Sequence, residues 1–443
     1  MIQHKSKFVV LGLLVGFAGT LLAQTNNNSP YSISGLGILS PNDFMHQRMM
    51  GGLNTAMDSS GSFAFSNPAS LNNVTLTDME FGTSLDNVRQ TSGTARNDYN
   101  TGRFDYVGLG IPLSLKRKIG LGVGLSQFSN VDYFITNDGV EDSVNTQTAF
   151  EGTGGLYQFQ LALGFQIYKG WSAGWNTSPI IGTVVSNIDK NYESTPNKFS
   201  FRSKTTDYYS GFSHRAGVQY NGRLKNNIHH SFGVSYGFGS ELEVNTDKFI
   251  RTYNSAGNFF IDTVLRKSDE ARTLSLPSSF SVGYSIGDRK HWLLGIQYSS
   301  QGWSDFTDLN NQSNYFDQNT YSIGGYFQAK GYGEEEYAGR KERNKNYFKV
   351  VRFYYGLSYS NLYMNSFSEQ VDELGINFGL GLPIIRSTYV EEKKKIGVIS
   401  RVNVGVGYQQ RGNSDNGLIK ENIFQIRIGT NFNDKWFTKR KYQ

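Results

Sequence analysis

The chain has 443 residues and a formal net charge of +6, with 50 glycines, 31 phenylalanines, 27 tyrosines and no cysteine. Without cysteine there can be no disulfide framework, thiolate nucleophile or cysteine metal ligand, and 18% charged residues, against about 25% in soluble domains, argue against ordinary soluble domains. The charge falls to +4 once Lys5 and Lys7 of the leader are removed (6 minus 2), and so small an excess spread along the chain is no nucleic-acid signature.

Residues 1–23 open with His4, Lys5 and Lys7, continue through the apolar run from Phe8 to Leu22, and end on Ala23 before a polar stretch. A basic start, an apolar middle and a small residue at the cut describe a cleaved signal peptide. An anchor helix would need about 20 apolar residues, and this run is interrupted by Gly12, Gly16, Gly19 and Thr20. Both termini of the mature chain are expected on the periplasmic side.

Residues 24–74 do not alternate, yet they hold Tyr31, Leu36, Phe44, Met45, Met49, Met50, Leu53, Phe63, Phe65 and Leu71. That is too much apolar content for a disordered tail, so the segment is expected to fill something. Ser34-Gly35-Leu36-Gly37, then Gly52, Ala56, Ser60-Gly61 and Asn67-Pro68-Ala69, resembles the N-terminal hatch of the outer-membrane long-chain fatty-acid and hydrophobic-compound (FadL/TodX-like) transporters. The resemblance covers the mature chain and implies a fourteen-stranded barrel plugged by an N-terminal hatch. The stretch from Pro41 to Met50 looks inserted relative to that pattern. Pro68 fixes its own φ and keeps Asn67 out of helical angles, while the Asn67 side chain can bond nearby backbone, so the triplet is read as structural rather than substrate-binding.

From residue 75 onward the pattern is two-residue alternation, the period of a strand whose faces meet different surroundings. Candidate strands run approximately 75–85, 101–112, 118–130, 151–168, 170–188, 207–222, 226–245, 276–288, 290–305, 317–330, 346–360, 368–383, 395–410 and 421–433. These make an all-β, transmembrane, 14-stranded antiparallel outer-membrane barrel over 75–433, with a periplasmic tail at 434–443. Phe424, Ile426 and Ile428 oppose Gln425, Arg427 and Gly429; one face suits lipid and the other is small or polar. A soluble sandwich would carry Lys and Glu on its minor face, whereas this one carries Gly, Ser, Asn and single arginines. Gly120, Gly122 and Gly124 would leave room for a plug. Arg401, Asn403, Arg427 and Asn431 are therefore expected to face the lumen. Six short or basic connections, Pro112 to Gly120 through Pro383 to Ile396, are placed at the periplasm. The polar connections 131–150, 189–206 and 246–275 are placed outside. Phe104, Tyr106, Trp171, Trp292, Trp303, Tyr347 and Tyr359 are expected in the interfacial girdles. The closing Lys435-Trp436-Phe437 resembles endings of Bacteroidetes members.

Chemistry finds little support. The six histidines form no HExxH pattern, Asp305, Asp308 and Glu334 to Glu336 read as solvated surface, and no catalytic triad can be brought forward. No enzyme activity, metal or cofactor is expected. The partners expected are membrane lipid, a hydrophobic small-molecule ligand and an outer-membrane complex partner, with no nucleic acid. The resemblance implies passive passage of hydrophobic compounds, with Phe44, Met45, Met49, Met50 and Leu53 as the ligand-facing part of the hatch. The alternative is a non-transporting barrel serving an outer-membrane assembly or secretion complex.

Overall fold

The computed structural model describes residues 29–57, 63–193, 198–254, 260–329, 347–366, 369–391, 394–413 and 419–436. The leader, Glu334 to Glu336 and the end of the tail lie outside them. In chain order the strands are β1 (Ile38–Leu39), β2 (Thr77–Ser92), β3 (Ala95–Ser114), β4 (Ile119–Glu141), β5 (Val144–Tyr168), β6 (Trp171–Tyr192), β7 (Ser200–Arg223), β8 (His229–Gly237), β9 (Ser240–Tyr253), β10 (Phe260–Leu276), β11 (Ser279–Gly287), β12 (Trp292–Gln301), β13 (Gln318–Phe327), β14 (Arg352–Ser366), β15 (Glu369–Glu391), β16 (Lys394–Arg411) and β17 (Lys420–Asp434). β8 and β9 form one spanning strand, as do β10 and β11, the latter broken at Pro277 and Ser278. β17 pairs with β2 from Lys420↔Thr91 to Asp434↔Thr77, closing a fourteen-stranded antiparallel barrel around residues 29–57 and 63–74. No helix of the described residues is long and apolar enough to cross a membrane; the crossing is made by strands.

Lipid imposes the alternation seen in β5. Tyr157, Phe159, Leu161, Leu163, Phe165 and Ile167 are 40–62% exposed, while Gln158, Gln160 and Ala162 between them are 7% or less. At about 3.4 Å per residue and a tilt of roughly 40°, that outward row covers about 26 Å along the membrane normal, matching the ~25 Å apolar band of such barrels. The same division separates Val404, Val406 and Ile426 outside from Asn403, Gly405 and Arg427 inside. Cysteines at 404 and 426 should react with a lipid-soluble thiol reagent, and cysteines at 403 and 427 should resist it. The opposite labelling would mean a register off by one.

Three sequence expectations are corrected. The outer connections are mostly ladder: β4 and β5 stay paired to Glu141↔Val144, and β9 and β10 to Tyr253↔Phe260. Above the membrane both faces of a strand meet polar surroundings, so alternation fades while backbone pairing continues. The inner connection after Pro383 is likewise a ladder, running to Glu391↔Lys394. Tyr106 and Trp303 are not girdle residues; they are 3% and 0% exposed, inside the barrel. Asp105 is unmatched between Phe104↔Thr83 and Tyr106↔Gly82, and such a bulge reverses the inside-outside phase of the strand.

The beginning of the chain also departs from expectation. Short turns at 115–118 and 169–170 mark the inner end of the barrel, and the C-terminal strand finishes there. Ser29, however, donates to Glu421 Oε1 at 2.7 Å, near the outer start of β17. The N-terminal end of the described chain is therefore at the outer mouth, and residues 29–57 and 63–74 descend through the lumen to β2.

Candidate functional site: hatch, chamber and wall seam

The hatch is held against a belt of inward-facing glycines. Gly120 and Gly122 meet Leu71, Gly110 meets Phe63, and Gly124 meets Phe65. Gly164, Gly174 and Gly217 lie under Asn67 and Pro68, and Gly324 and Gly356 under Met50 and Gly51. A Cβ at most of these positions would collide with the hatch, so the small minor face noticed in the sequence is its footprint. Asn67 anchors the Pro68–Asn73 turn of 3-10 helix: its Oδ1 accepts from the Ala69 N–H at 3.2 Å, and its Nδ2 donates to the Thr55 carbonyl at 2.6 Å. Ser34 to Gly37 make a bend at the outer end. Gly37, at φ +84°, lies so close to Asn130 and Val131 that no side chain fits. Leu36, 1% exposed, joins Trp303, Phe306 and Tyr363 in an outer apolar cluster, where Trp303 stacks on Tyr363 at 4.3 Å between ring centroids.

Phe44, Met45, Met49, Met50 and Leu53 are 4% exposed or less. Helix α1 (Met45–Met49) is entered through Phe44, whose N–H donates to Gln47 Oε1 at 3.0 Å. Met45 sits on Gly429, Met49 on Gly379 and Gly405, Met50 on Gly324 and Gly356, and Leu53 on Gly295. These side chains pack on the wall and are not among the residues that line the chamber above them. Of the lumen residues named from the sequence, Asn403 accepts from the Tyr354 hydroxyl at 3.2 Å. Arg427 donates to Asn377 and Gln425. Asn431 donates to Asp78 at 2.6 Å and to Glu80 at 2.8 Å, and Arg401 pairs with Asn431 in register.

Above the hatch lies a chamber of about 390 Å³, floored by Asn42, Asp43, Gly52 and Asn54. Its walls are largely Ser, Asn and Gln, with ion pairs that sequence reasoning missed. Arg48 of the hatch meets Asp105 at 2.5 Å, and Arg103 bridges Asp86 at 3.0 Å and Asp105 at 3.2 Å. Arg411 bridges Glu373 at 2.7 Å and Glu421 at 3.1 Å. Single charges on the minor faces of β2, β3 and β16 were the available signal; apart from the Arg103–Asp105 pair within β3, their partners lie on other strands or on the hatch. Among the described residues no group of three or more His, Asp or Glu side chains could hold a metal ion.

The chamber lining also includes the apolar residues Ile38, Leu39, Val88, Tyr99, Phe128 and Ile423, beside Asp86 and Arg103, and next to Ile38, Leu39 and Phe128 the barrel has a seam. The β3–β4 ladder runs from Ser114↔Ile119 only to Tyr106↔Ser126, although β3 reaches Ala95 and β4 reaches Glu141. Bulges at Asp105 and at Phe128, between Gln127↔Tyr157 and Ser129↔Leu156, turn the strands apart. Part of the gap is taken by the hatch, which pairs Ile38 with Asn130 and Leu39 with Ser129 and donates from the Ser40 N–H to the Phe128 carbonyl at 2.9 Å. Gln127 is level with Tyr157, the upper limit of the lipid-facing row, so the seam opens at the outer interface.

Solved structures share this fold at low sequence identity. The Ralstonia pickettii toluene transporter TbuX gives a TM-score of 0.56 at 12% identity, covering 90% of this chain and 99% of its own. A Pseudomonas aeruginosa FadL homologue gives 0.54 at 11%, covering 90% and 99%, and the Pseudomonas putida toluene transporter TodX gives 0.52 at 13%, covering 91% and 100%. No curated protein matches the chain. The family model described as BamG matches residues 1–443, the whole chain.

Proposed function

The chain belongs to the BamG family, and from the fold it shares with outer-membrane hydrophobic-compound channels we propose that it passes hydrophobic compounds passively into the outer membrane. The observation that carries this reading is the seam, where the apolar lining residues Ile38, Leu39 and Phe128 of the chamber meet a wall closed by a two-residue hatch strand instead of a full ladder. A compound entering from the outer mouth would leave sideways between β3 and β4 when that strand shifts, while the glycine belt keeps the path to the periplasm shut.

Leu39 and Ser129 are the non-hydrogen-bonded pair of this short ladder, a position with Cα atoms about 4.5 Å apart, within disulfide reach. The chain has no cysteine of its own. In proteoliposomes, oxidised Leu39→Cys/Ser129→Cys should admit a fluorescent hydrophobic solute no faster than empty vesicles, and a reductant should restore the wild-type rate. A wild-type protein no faster than empty vesicles would end the transport reading.

A second reading is favoured by a different observation. The apolar hatch side chains of Met45, Met49, Met50 and Leu53 are seated on wall glycines and are not among the chamber's lining residues, as suits a fixed plug in a barrel that serves as a subunit of an outer-membrane assembly. Silent proteoliposomes together with a stoichiometric protein partner after mild extraction from the native membrane would favour this reading over transport. Cleavage of the leader after Ala23 belongs to either reading, and the mass of the purified protein tests it.

A further inference from the structure

Beyond either reading, we infer that the upper edge of β4 is a docking site for an extended segment of a different cell-surface protein, added as an antiparallel strand. From Ser129 to Glu141 the pairing of β4 with β5 has no register shift, and no described strand covers the other edge above the hatch. The hatch fixes which groups point to that edge. Phe128 offers its carbonyl to Ser40, and the Asp132 N–H donates to Ser32 Oγ at 3.0 Å, so even-numbered residues present their N–H and C=O there. Phe134, Thr136, Asp138 and Val140 continue that series, all in exposed strand.

Sheet edges of this kind are normally blocked by bulges, Lys or Pro. β10, at the other side of the outer sheet, is blocked in this way: its ladder with β9 has three register shifts, and it carries Arg266 and Lys267. Residues 127–141 of β4 contain no Lys, Arg or Pro. The edge already accepts one strand lower down, the hatch segment Ile38–Leu39, in antiparallel sense. Phe134 and Val140 are 54% and 71% exposed and flank Asp138, so the matching segment carries apolar residues opposite the two and a basic residue between them.

Other occupants fit poorly. Phe134 stands about 18 Å above the level of Gln127 at the strand rise and tilt used above, clear of the hydrocarbon. The chain's own residues 29–37 turn into the lumen, where Leu36 is buried and Ser29 is bonded to Glu421. A second copy in the same membrane would rise in the same direction, and with tilts of roughly 40° each its β4 would cross this one at about 80°, which no ladder allows.

Hydrogen exchange resolved by residue tests the inference on the protein in its native outer membrane and on the same protein refolded alone in detergent. The amides of residues 134, 136, 138 and 140 should exchange about tenfold more slowly in the native membrane than in the isolated protein, while those of 133, 135 and 137, within the β5 ladder, stay slow in both. Thr136→Pro removes an edge N–H and no ladder bond, so in native membranes it should return 134, 138 and 140 to fast exchange with heat-modifiable migration retained. If that variant disturbs the barrel, Phe134→Lys/Val140→Lys should give the same loss. Fast exchange at all four positions in native membranes would refute the proposal, as would protection already present in the isolated protein, which would assign the edge to the chain itself.

Discussion

Valine at Gly174 or at Gly356 is expected to prevent most of the protein from reaching the heat-modifiable barrel. A Cβ at Gly174 would stand 2.5 Å from the Ala69 nitrogen, and one at Gly356 would stand 2.7 Å from the Gly51 Cα. Both collisions are with hatch backbone, which cannot change rotamer. Overpacking a core that can yield costs about 1–3 kcal/mol, and a hatch pressed by glycines from many strands has less room to yield, so the cost should exceed that range. Gly302→Ala, in open space with φ −80°, should leave the folded fraction and Tm unchanged. Wild-type folding of Gly174→Val would mean that the hatch does not rest on β6 as described.

Asp105→Ala should destabilise the closed barrel by about 3–5 kcal/mol, the usual result of leaving one member of a buried ion pair without its partner. The Arg48 and Asp105 side chains are 6% and 2% exposed. Asp105 also accepts from Ser84 at 2.7 Å and from Arg103 at 3.2 Å, whereas Arg48 would retain the Pro41 carbonyl at 3.0 Å. The loss should appear as a lower Tm in detergent and as faster hydrogen exchange from Ser40 to Arg48. Because the pair is buried, salt should imitate little of it. Arg48→Met/Asp105→Leu should recover much of the stability, since apolar replacement of both partners removes the stranded charge. A single variant as stable as wild type would mean that Arg48 does not hold the hatch to β3.

The spanning strands could be read from the sequence because lipid on one side and the lumen on the other enforce a period of two. Where that contrast ends, so did the reading: residues 131–141 continue as strand among polar surroundings, without a pattern to mark them. The glycines of β4 announced that something needed space, but Leu71 and Phe65 could not be named as the occupants, because the hatch has no periodicity and its contacts are remote in sequence. Arg427 could be placed in the lumen from its neighbours Ile426 and Ile428. The Arg48–Asp105 pair could not, since Asp105 sits on a bulge that breaks the phase. The same two bulges made the seam invisible, because a ladder that stops midway along two continuing strands leaves no mark in the composition of either.

The glycine belt also constrains the order of assembly. The hatch touches strands from β3 around to β17, and it is enclosed by the ladder that joins the last strand to β2. A plug with so little clearance could not be threaded into a finished cylinder, so the N-terminal segment must be in place while the sheet is still open, acting as the form on which the wall curls. Barrel closure then becomes a late, all-or-none event that couples the first and last parts of the chain. Such long sequence separations favour slow folding, with the unpaired edges of β2 and β17 exposed to wrong partners until they meet.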